Sequence, residues 1–178
     1  MSHPRSSLLR ACTAPLVAVL LAVSLASALS ACGFQPRGAS GRYNMPFRSM
    51  HLAFPDTSAL GSDLRRNLRA VDVAIEGDPA KAEAQFDVLS ENRGKSILSL
   101  NSQGRVREYL LTYTLVFRVR DARGAELLGP TQITLKRSLN FNETQVLAKE
   151  SEEVMLYRDM QGDLVQQILR RLAAIKPA

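Results

Sequence analysis

The run VREYLLTYTLVFRVR, at residues 106–120, carries the clearest alternation of apolar and polar side chains in the sequence. One set of alternate positions is apolar or aromatic: Tyr109, Leu111, Tyr113, Leu115, Phe117 and Val119. The other set includes the polar residues Glu108, Thr112, Thr114, Arg118 and Arg120. Because successive side chains of a β-strand point to opposite faces, this pattern predicts a long strand with one face on a core. Such a strand needs partner strands and a second layer that covers its apolar face.

A second alternating run, TQITLKRSLNF at residues 131–141, follows after a turn that contains glycine and proline. Its apolar positions are Ile133, Leu135, Leu139 and Phe141. We expect the two runs to pair as a long antiparallel hairpin. The outer face of that hairpin would carry Arg118, Arg120 and Lys136.

Weaker strand signals precede the hairpin. Residues 48–54 alternate around Met50, Leu52 and Phe54, and residues 71–77 alternate around Val71, Val73 and Ile75. Residues 84–104 predict two further strands, because the pairs Arg93-Gly94 and Gln103-Gly104 are typical of turns.

Two helices are predicted to cover the sheet. The first follows Thr57 or Ser58 as its N-cap and places Leu60, Leu64 and Leu68 on one face. The second begins at Asn142, with Gln145 in capping-box spacing, and ends before Pro177. Its apolar stripe is Val154, Tyr157, Met160, Leu164, Ile168, Leu172 and Ile175. The predicted fold class is therefore α+β, with two helices packed on one face of a mostly antiparallel or mixed β-sheet as a two-layer sandwich.

The N-terminal segment has the parts of a secretory signal peptide. Arg5 and Arg10 precede an apolar run, and small residues end it at the sequence LSAC, residues 29–32. This ending resembles the lipobox of bacterial lipoproteins, which implies that Cys32 carries the lipid and becomes the first mature residue. An uncleaved transmembrane anchor is the alternative, because about 20 uncharged residues suffice for a membrane span.

These signals divide the chain into three parts. Residues 1–31 are predicted to be a lipoprotein signal peptide, and residues 32–47, rich in Gly, Pro and Ser, the lipidated N-terminus and tether. Residues 48–178 are predicted to form one α+β domain. Gly33 stands where an aspartate would favour retention in the inner membrane, so we expect the periplasmic side of the outer membrane.

The charge of the mature chain is moderate. Loss of Arg5 and Arg10 lowers the 23 basic side chains to 21, against 17 acidic ones. The sequence pI of about 9.7 is compatible with a nucleic-acid partner, but the sequence contains no nucleic-acid-binding motif. The basic residues between 93 and 123 are compatible with a solvated face of the sheet or with a surface for a phosphorylated or otherwise anionic partner.

Groups that could support catalysis are sparse. His51 is predicted on an edge-like first strand, and no His, Cys and acidic residues occur at metal-ligand spacing. Gly94-Lys95-Ser96 matches the end of a phosphate-binding loop, but Leu89 stands where that motif needs glycine. The sequence therefore predicts no catalytic residue, no metal and no cofactor.

Four stretches follow one another in the order of the predicted elements: CGFQPRG, LGSDLRRNLR, VREYLLTYTLVFRV and ETQVLAKESEEVMLYRDMQGDLVQQILRRL. Together they resemble the LptE family of lipopolysaccharide-assembly lipoproteins over essentially the whole mature chain. The last stretch is the most specific. The resemblance implies a non-enzymatic protein that sits in the LptD β-barrel of the outer membrane, assists its assembly and binds lipopolysaccharide.

The resemblance also points to basic residues for lipopolysaccharide. Lys149 in VLAKE matches a family lysine assigned to this ligand, although it is equally suited to balancing its acidic neighbours. The family's second basic position falls on Ser102, so Arg105 and Arg107 are the nearest substitutes, and Lys136 is a further candidate. Two alternatives stay open, namely an auxiliary lipoprotein of a periplasmic lipid-transport complex and a periplasmic hydrolase built around His51.

Overall fold

The computed structural model describes residues 43–176, which form one five-stranded sheet covered by two helices. The strand order is β2-β1-β3-β4-β5, with β1 parallel to both of its neighbours and β3, β4 and β5 antiparallel. The elements are β1 Ser49–Ala53, α1 Ala59–Arg69, β2 Ala74–Ile75, β3 Ala84–Leu100, β4 Val106–Asp121, β5 Glu126–Asn140 and α2 Val146–Ala173, with short 3₁₀ turns at Pro79–Lys81 and Glu143–Gln145. This is the predicted α+β fold, with a mixed sheet.

The central strand β4 confirms the alternating pattern. The side chains of Leu111, Tyr113, Leu115, Phe117 and Val119 are all fully buried, and Tyr109 is half-buried beside them. The predicted hairpin partner is β5, which pairs with β4 along nearly its whole length. Its residues Ile133 and Leu139 complete the core on this side.

Strand β3 corrects the sequence analysis, because residues 84–100 form one long strand and no turn occurs at Arg93-Gly94. Gly94 lies opposite Thr112 in the ladder, and a Cβ atom on Gly94 would stand 2.7 Å from the Thr112 hydroxyl. Close approach across the strand pair therefore explains a glycine here better than a turn does. The pairing register between β3 and β4 shifts at three places, the first between Val88 and Ser90.

The first helix forms as the leucine spacing predicts. Ser58 is its N-cap and accepts a 3.0 Å hydrogen bond from the Gly61 amide, while Leu60, Leu64 and Leu68 are fully buried. Of the strand predicted at 71–77, only the two residues of β2 form, since Asp72 adopts a φ of 62° shortly after the helix. Strand β1 lies between β2 and β3, so His51 is on an inner strand and the prediction of an edge position was wrong.

The second helix differs from its prediction at the start. Asn142 caps the 3₁₀ turn at Glu143–Gln145, and the side chain of Gln145 makes no capping bond, so the predicted capping box does not form. The apolar stripe is buried from Met160 onward, whereas Val154 is 61% exposed. Val154 lines a cavity together with Ala59 of α1, so it borders an opening and not the packed core.

Several predictions fall on residues outside the described range. The signal peptide, the lipid on Cys32 and the tether up to residue 42 all lie there. Residues 43–47, which the prediction assigned to the tether, pack against the domain: Phe47 is buried, and Tyr43 and Met45 contact the core. Within residues 43–176, neither helix has a stretch that is long and apolar enough to span a bilayer.

Candidate functional site

Two loops meet at one end of the sheet: the β3–β4 turn, residues 101–105, and the loop before α2, residues 141–145. We call these two loops, together with the start of β4 and the first turn of α2, the hairpin tip. The Phe141 amide donates to the Arg107 carbonyl oxygen at 2.9 Å. Arg105 Nη1 lies 3.2 Å from Glu143 Oε2. The loops enclose a shallow cavity of about 280 Å³. Its lining residues are Asn101, Arg105, Val106, Phe141, Asn142, Glu143 and Thr144.

Three of the four basic residues predicted to bind lipopolysaccharide belong to this end. Arg105 is in the turn, Arg107 is exposed at the start of β4, and Lys149 is in the first turn of α2. Lys149 Nζ contacts Glu152 Oε2 at 2.7 Å, and its side chain is only 18% exposed. Arg107 has no carboxylate within salt-bridge distance in the described part of the chain.

Lys136 lies elsewhere. It is exposed in the middle of β5, opposite Thr112. Since Leu111 and Tyr113 point into the core, Thr112 and Lys136 point to the face of the sheet that the helices leave open. Lys136 therefore shares no surface with the other three basic residues.

Exposed apolar side chains concentrate near the hairpin tip, a feature that the sequence analysis missed. Leu147 is 81% exposed, and six further large apolar residues at least 42% exposed lie on the end of β3 and the start of α2: Ile97, Leu98, Leu100, Val146, Val154 and Met155. The signal was present in the sequence ILSL at 97–100, where adjacent apolar residues break the alternation expected of a half-buried strand. Cations and apolar groups thus share this end of the domain.

The open face of the sheet carries an ion-pair cluster on β3 and β4. Arg120 Nε lies 2.6 Å and Arg118 Nε 3.0 Å from Asp87 Oδ2. The hydrogen bond from Arg120 is the main cause that lowers the pKa of Asp87 below its usual value, and Arg118 adds to it against the opposing effect of burial. Both predicted outer-face arginines are therefore partly neutralised.

A polar network joins both helices to the sheet under the start of α1. Arg93 Nη2 donates to Tyr113 Oη at 3.1 Å and to Gln161 Oε1 at 3.0 Å. Gln161 Nε2 in turn donates to Asp63 Oδ2 at 2.6 Å. Tyr113 donates to Glu91 at 2.6 Å, and burial is the main cause that raises the pKa of Tyr113 to about 12. Sequence reasoning missed this network because it joins residues up to 98 positions apart.

The described residues offer no catalytic constellation around His51. Its Nδ1 lies 3.0 Å from the carbonyl oxygen of Glu76, a contact between two strands. In the described residues, no group of three or more His, Cys, Asp or Glu side chains is arranged to hold a metal ion.

The comparison with known proteins identifies the family. Residues 47–172 match the LptE family, described as lipopolysaccharide-assembly. This chain belongs to the LptE family. It is therefore a non-enzymatic member of a lipopolysaccharide-assembly family, and the predicted family is confirmed.

Two LptE relatives align with most of the chain. LPS-assembly lipoprotein LptE from Pectobacterium atrosepticum is 28% identical over 160 residues, covering 87% of this chain and 84% of that protein. The protein of the same name from Yersinia enterocolitica is 25% identical over 165 residues, covering 90% and 77%.

Solved structures share the fold. The solution NMR structure of an uncharacterized lipoprotein B from Nitrosomonas europaea is similar with a TM-score of 0.68 and 41% identity, over 80% of this chain and 91% of that one. The crystal structure of a minor lipoprotein from Acinetobacter baumannii has a TM-score of 0.61 and 27% identity, over 73% and 93%. These similarities confirm the predicted α+β fold class.

Proposed function

We propose that this LptE-family chain is an outer-membrane lipoprotein that complexes with the LptD β-barrel, plugs it, assists its assembly and helps to deliver lipopolysaccharide to the outer leaflet. The observation that carries the proposal is the family match over residues 47–172. Both aligned relatives are named LPS-assembly lipoproteins. The open, polar face of the sheet suits a barrel whose interior is itself polar.

The anchor in this proposal is the lipid on Cys32. Two or more acyl chains anchor a protein stably, whereas one holds it only marginally. Residues 33–42 would then join the lipid to the domain, whose packed part begins at Tyr43, a residue that contacts the core. The domain would stay on the periplasmic side, within reach of the barrel.

The hairpin tip is the proposed surface for lipopolysaccharide. Arg105, Arg107 and Lys149 supply donors for the phosphates of lipid A, and arginine can hold phosphate through two parallel hydrogen bonds. Leu147 and its exposed apolar neighbours offer a surface for acyl chains. Lys136, on the open face of the sheet, would contact lipopolysaccharide or the barrel from a separate surface.

Co-purification tests the proposal. A tag on the C-terminus of the full chain is used to isolate it from detergent-extracted membranes, and the recovered proteins are identified by mass spectrometry. We expect a large β-barrel protein in a fixed ratio to the tagged chain. Recovery without any large barrel would contradict the proposal, and recovery with an inner-membrane transport complex would favour the auxiliary-lipoprotein alternative.

A further inference from the structure

A cavity of about 270 Å³ opens between the start of α1, the middle of β3 and the N-terminal half of α2. Its lining residues are Ala59, Arg93, Val154, Tyr157, Arg158 and Gln161. We call it the Arg93 cavity. Two arginines from different elements therefore line one opening, and the rest of its wall is formed by Ala59, Val154, Tyr157 and Gln161.

Arg93 is held in place by uncharged partners. Its guanidinium carbon lies 4.5 Å from the ring centre of Tyr113 and 5.6 Å from that of Tyr157. Its Nη2 donates to the Tyr113 hydroxyl and to Gln161, whose side chain is nearly fully buried. Stacking on aromatic rings fixes the plane of the cation but leaves its charge, so Arg93 is pre-organised to donate further hydrogen bonds.

The two positive charges are not neutralised by direct ion pairs. Among residues 43–176, no carboxylate lies within 4.0 Å of a guanidinium nitrogen of Arg93 or Arg158. Glu91 and Asp63 are the acids closest in the network, and each reaches Arg93 only through an intervening side chain. These two carboxylates weaken the positive potential at Arg93, but they do not accept hydrogen bonds from its guanidinium directly.

The first turn of α1 adds to the positive potential. Ala59 is the first residue of this 11-residue helix and lines the cavity. The N-terminal end of a helix carries a partial positive charge. The Ser58 side chain accepts a hydrogen bond from the Gly61 amide. The other free amides of the first turn keep their partial positive charge beside the cavity.

From this arrangement we infer that the Arg93 cavity binds a phosphate group, held by Arg93 and Arg158, with the remainder of the ligand lying against Val154 and Tyr157. Two guanidiniums and a helix end match a group of charge −1.5 to −2 better than a singly charged carboxylate. Val154, 61% exposed, gives the opening an apolar border that suits a phosphorylated amphiphile. The site uses none of the four predicted basic residues, although Val154 also belongs to the exposed apolar set near the hairpin tip. The inference does not depend on the proposed function.

Phosphate titration of the full chain in neutral detergent micelles tests the inference. The side-chain N–H resonances of ¹⁵N-labelled arginines are followed by NMR, with assignments from Arg158→Gln and Arg93→Lys. We expect inorganic phosphate to shift the resonances of both cavity arginines with a Kd on the order of 1 mM. Arg158→Gln removes an exposed side chain outside the core, and we expect it to weaken binding by roughly tenfold or more.

Arg170→Gln is the matched control, since Arg170 is an exposed arginine of the same helix that does not line the cavity. Its phosphate affinity should equal that of the unaltered chain. Absence of shifts at both cavity arginines, an unchanged affinity in Arg158→Gln, or an equal loss in Arg170→Gln would each overturn the inference.

Short-chain lipids distinguish the source of the phosphate. Dihexanoyl phosphatidic acid, a phosphomonoester, should bind, and dihexanoyl phosphatidylcholine should not. Tighter binding of phosphatidic acid than of inorganic phosphate supports a lipid headgroup, and equal affinities support recognition of the anion alone. Equal binding of the two lipids would contradict the site. Because none of these measurements involves a barrel, their failure is distinguishable from failure of the co-purification.

Discussion

The hydroxyl of Tyr157 on α2 donates a 2.7 Å hydrogen bond to the carbonyl oxygen of Gly94 in the middle of β3. This contact fastens the long helix to the strand at the point where the sequence predicted a turn. Beside it, Lys95 Nζ lies 2.6 Å from Glu153 Oε2, so adjacent residues of the strand hold adjacent turns of the helix. The N-terminal half of α2 therefore depends on β3 for its position.

Tyr157→Phe should lower the free energy of unfolding by about 1 kcal/mol, because it removes this hydrogen bond and keeps the packing of the ring. Tyr43→Phe, which removes an exposed hydrogen bond to Gln166, is the control and should have a smaller effect. Chemical denaturation followed by circular dichroism measures both. An effect of Tyr157→Phe no larger than that of the control would contradict the role of the contact.

Two glycines in helices should respond to alanine in opposite ways. A Cβ on Gly61 would stand 2.7 Å from Cβ and 2.9 Å from Cγ of Phe54, whereas Gly162 has no neighbouring atom within 4 Å. We expect Gly61→Ala to destabilise the fold by about 1–3 kcal/mol through overpacking. Gly162→Ala should stabilise it by up to about 1 kcal/mol, since alanine favours a helix interior. Equal effects in thermal unfolding would show that the helix α1 does not pack on Phe54 this closely.

Asp87 should make stability depend on acidity. Its pKa is lowered in the folded state from the ordinary value of 3.8, so the unfolded chain binds the proton more tightly. The stabilisation is therefore present above pH 3.8 and is lost as the pH falls through the folded-state pKa. We expect Asp87→Asn to cost about 1–2 kcal/mol at neutral pH, because Arg118 and Arg120 lose a charged acceptor.

Urea denaturation at several pH values measures this difference. The difference in free energy of unfolding between the unaltered chain and Asp87→Asn should become smaller in acid, because Asp87 of the unaltered chain is then protonated. Asp56→Asn is a suitable control, because Asp56 is fully exposed and its contact with Arg65 is 3.9 Å. If the difference in free energy of unfolding is the same at neutral and acidic pH, the ion pairs of Asp87 are not its cause.

Charge reversal at the hairpin tip should weaken lipopolysaccharide binding. Lys149→Glu removes a phosphate donor and places a third acid beside Glu150 and Glu152, so we expect a Kd roughly tenfold higher. Lys81→Glu, in the turn that precedes β3, makes the same change at the other end of the sheet and should leave the Kd unaltered. Binding of lipopolysaccharide to the full chain in detergent is the measurement, and an unchanged Kd for Lys149→Glu would remove this residue from the proposed surface.

The sequence predicted the elements whose signals are local. The alternation of β4 identified the buried positions Leu111 to Val119, and the leucine spacing with Ser58 identified α1 and its cap. Both patterns act through neighbours along one element, so reading a short window is sufficient.

Features that depend on distant residues were predicted poorly. Gly94 was interpreted as a turn residue because its close neighbour Thr112 is far away in the sequence. Val154 continues the apolar stripe of α2, but it lines the Arg93 cavity with Ala59 and is 61% exposed. The Arg93 cavity was missed for the same reason, because its lining residues come from three separate elements, α1, β3 and α2.

Site-specific photo-cross-linking in living cells tests the central proposal most directly. A benzoylphenylalanine replaces Leu147, the most exposed apolar residue at the hairpin tip, and in a parallel strain it replaces Arg123 in the β4–β5 turn at the other end of β4. We predict that irradiation joins position 147, and not position 123, to lipopolysaccharide, and that the cross-linked chain co-purifies with a large β-barrel. Cross-links to lipopolysaccharide from neither position, or equally from both, would contradict the account.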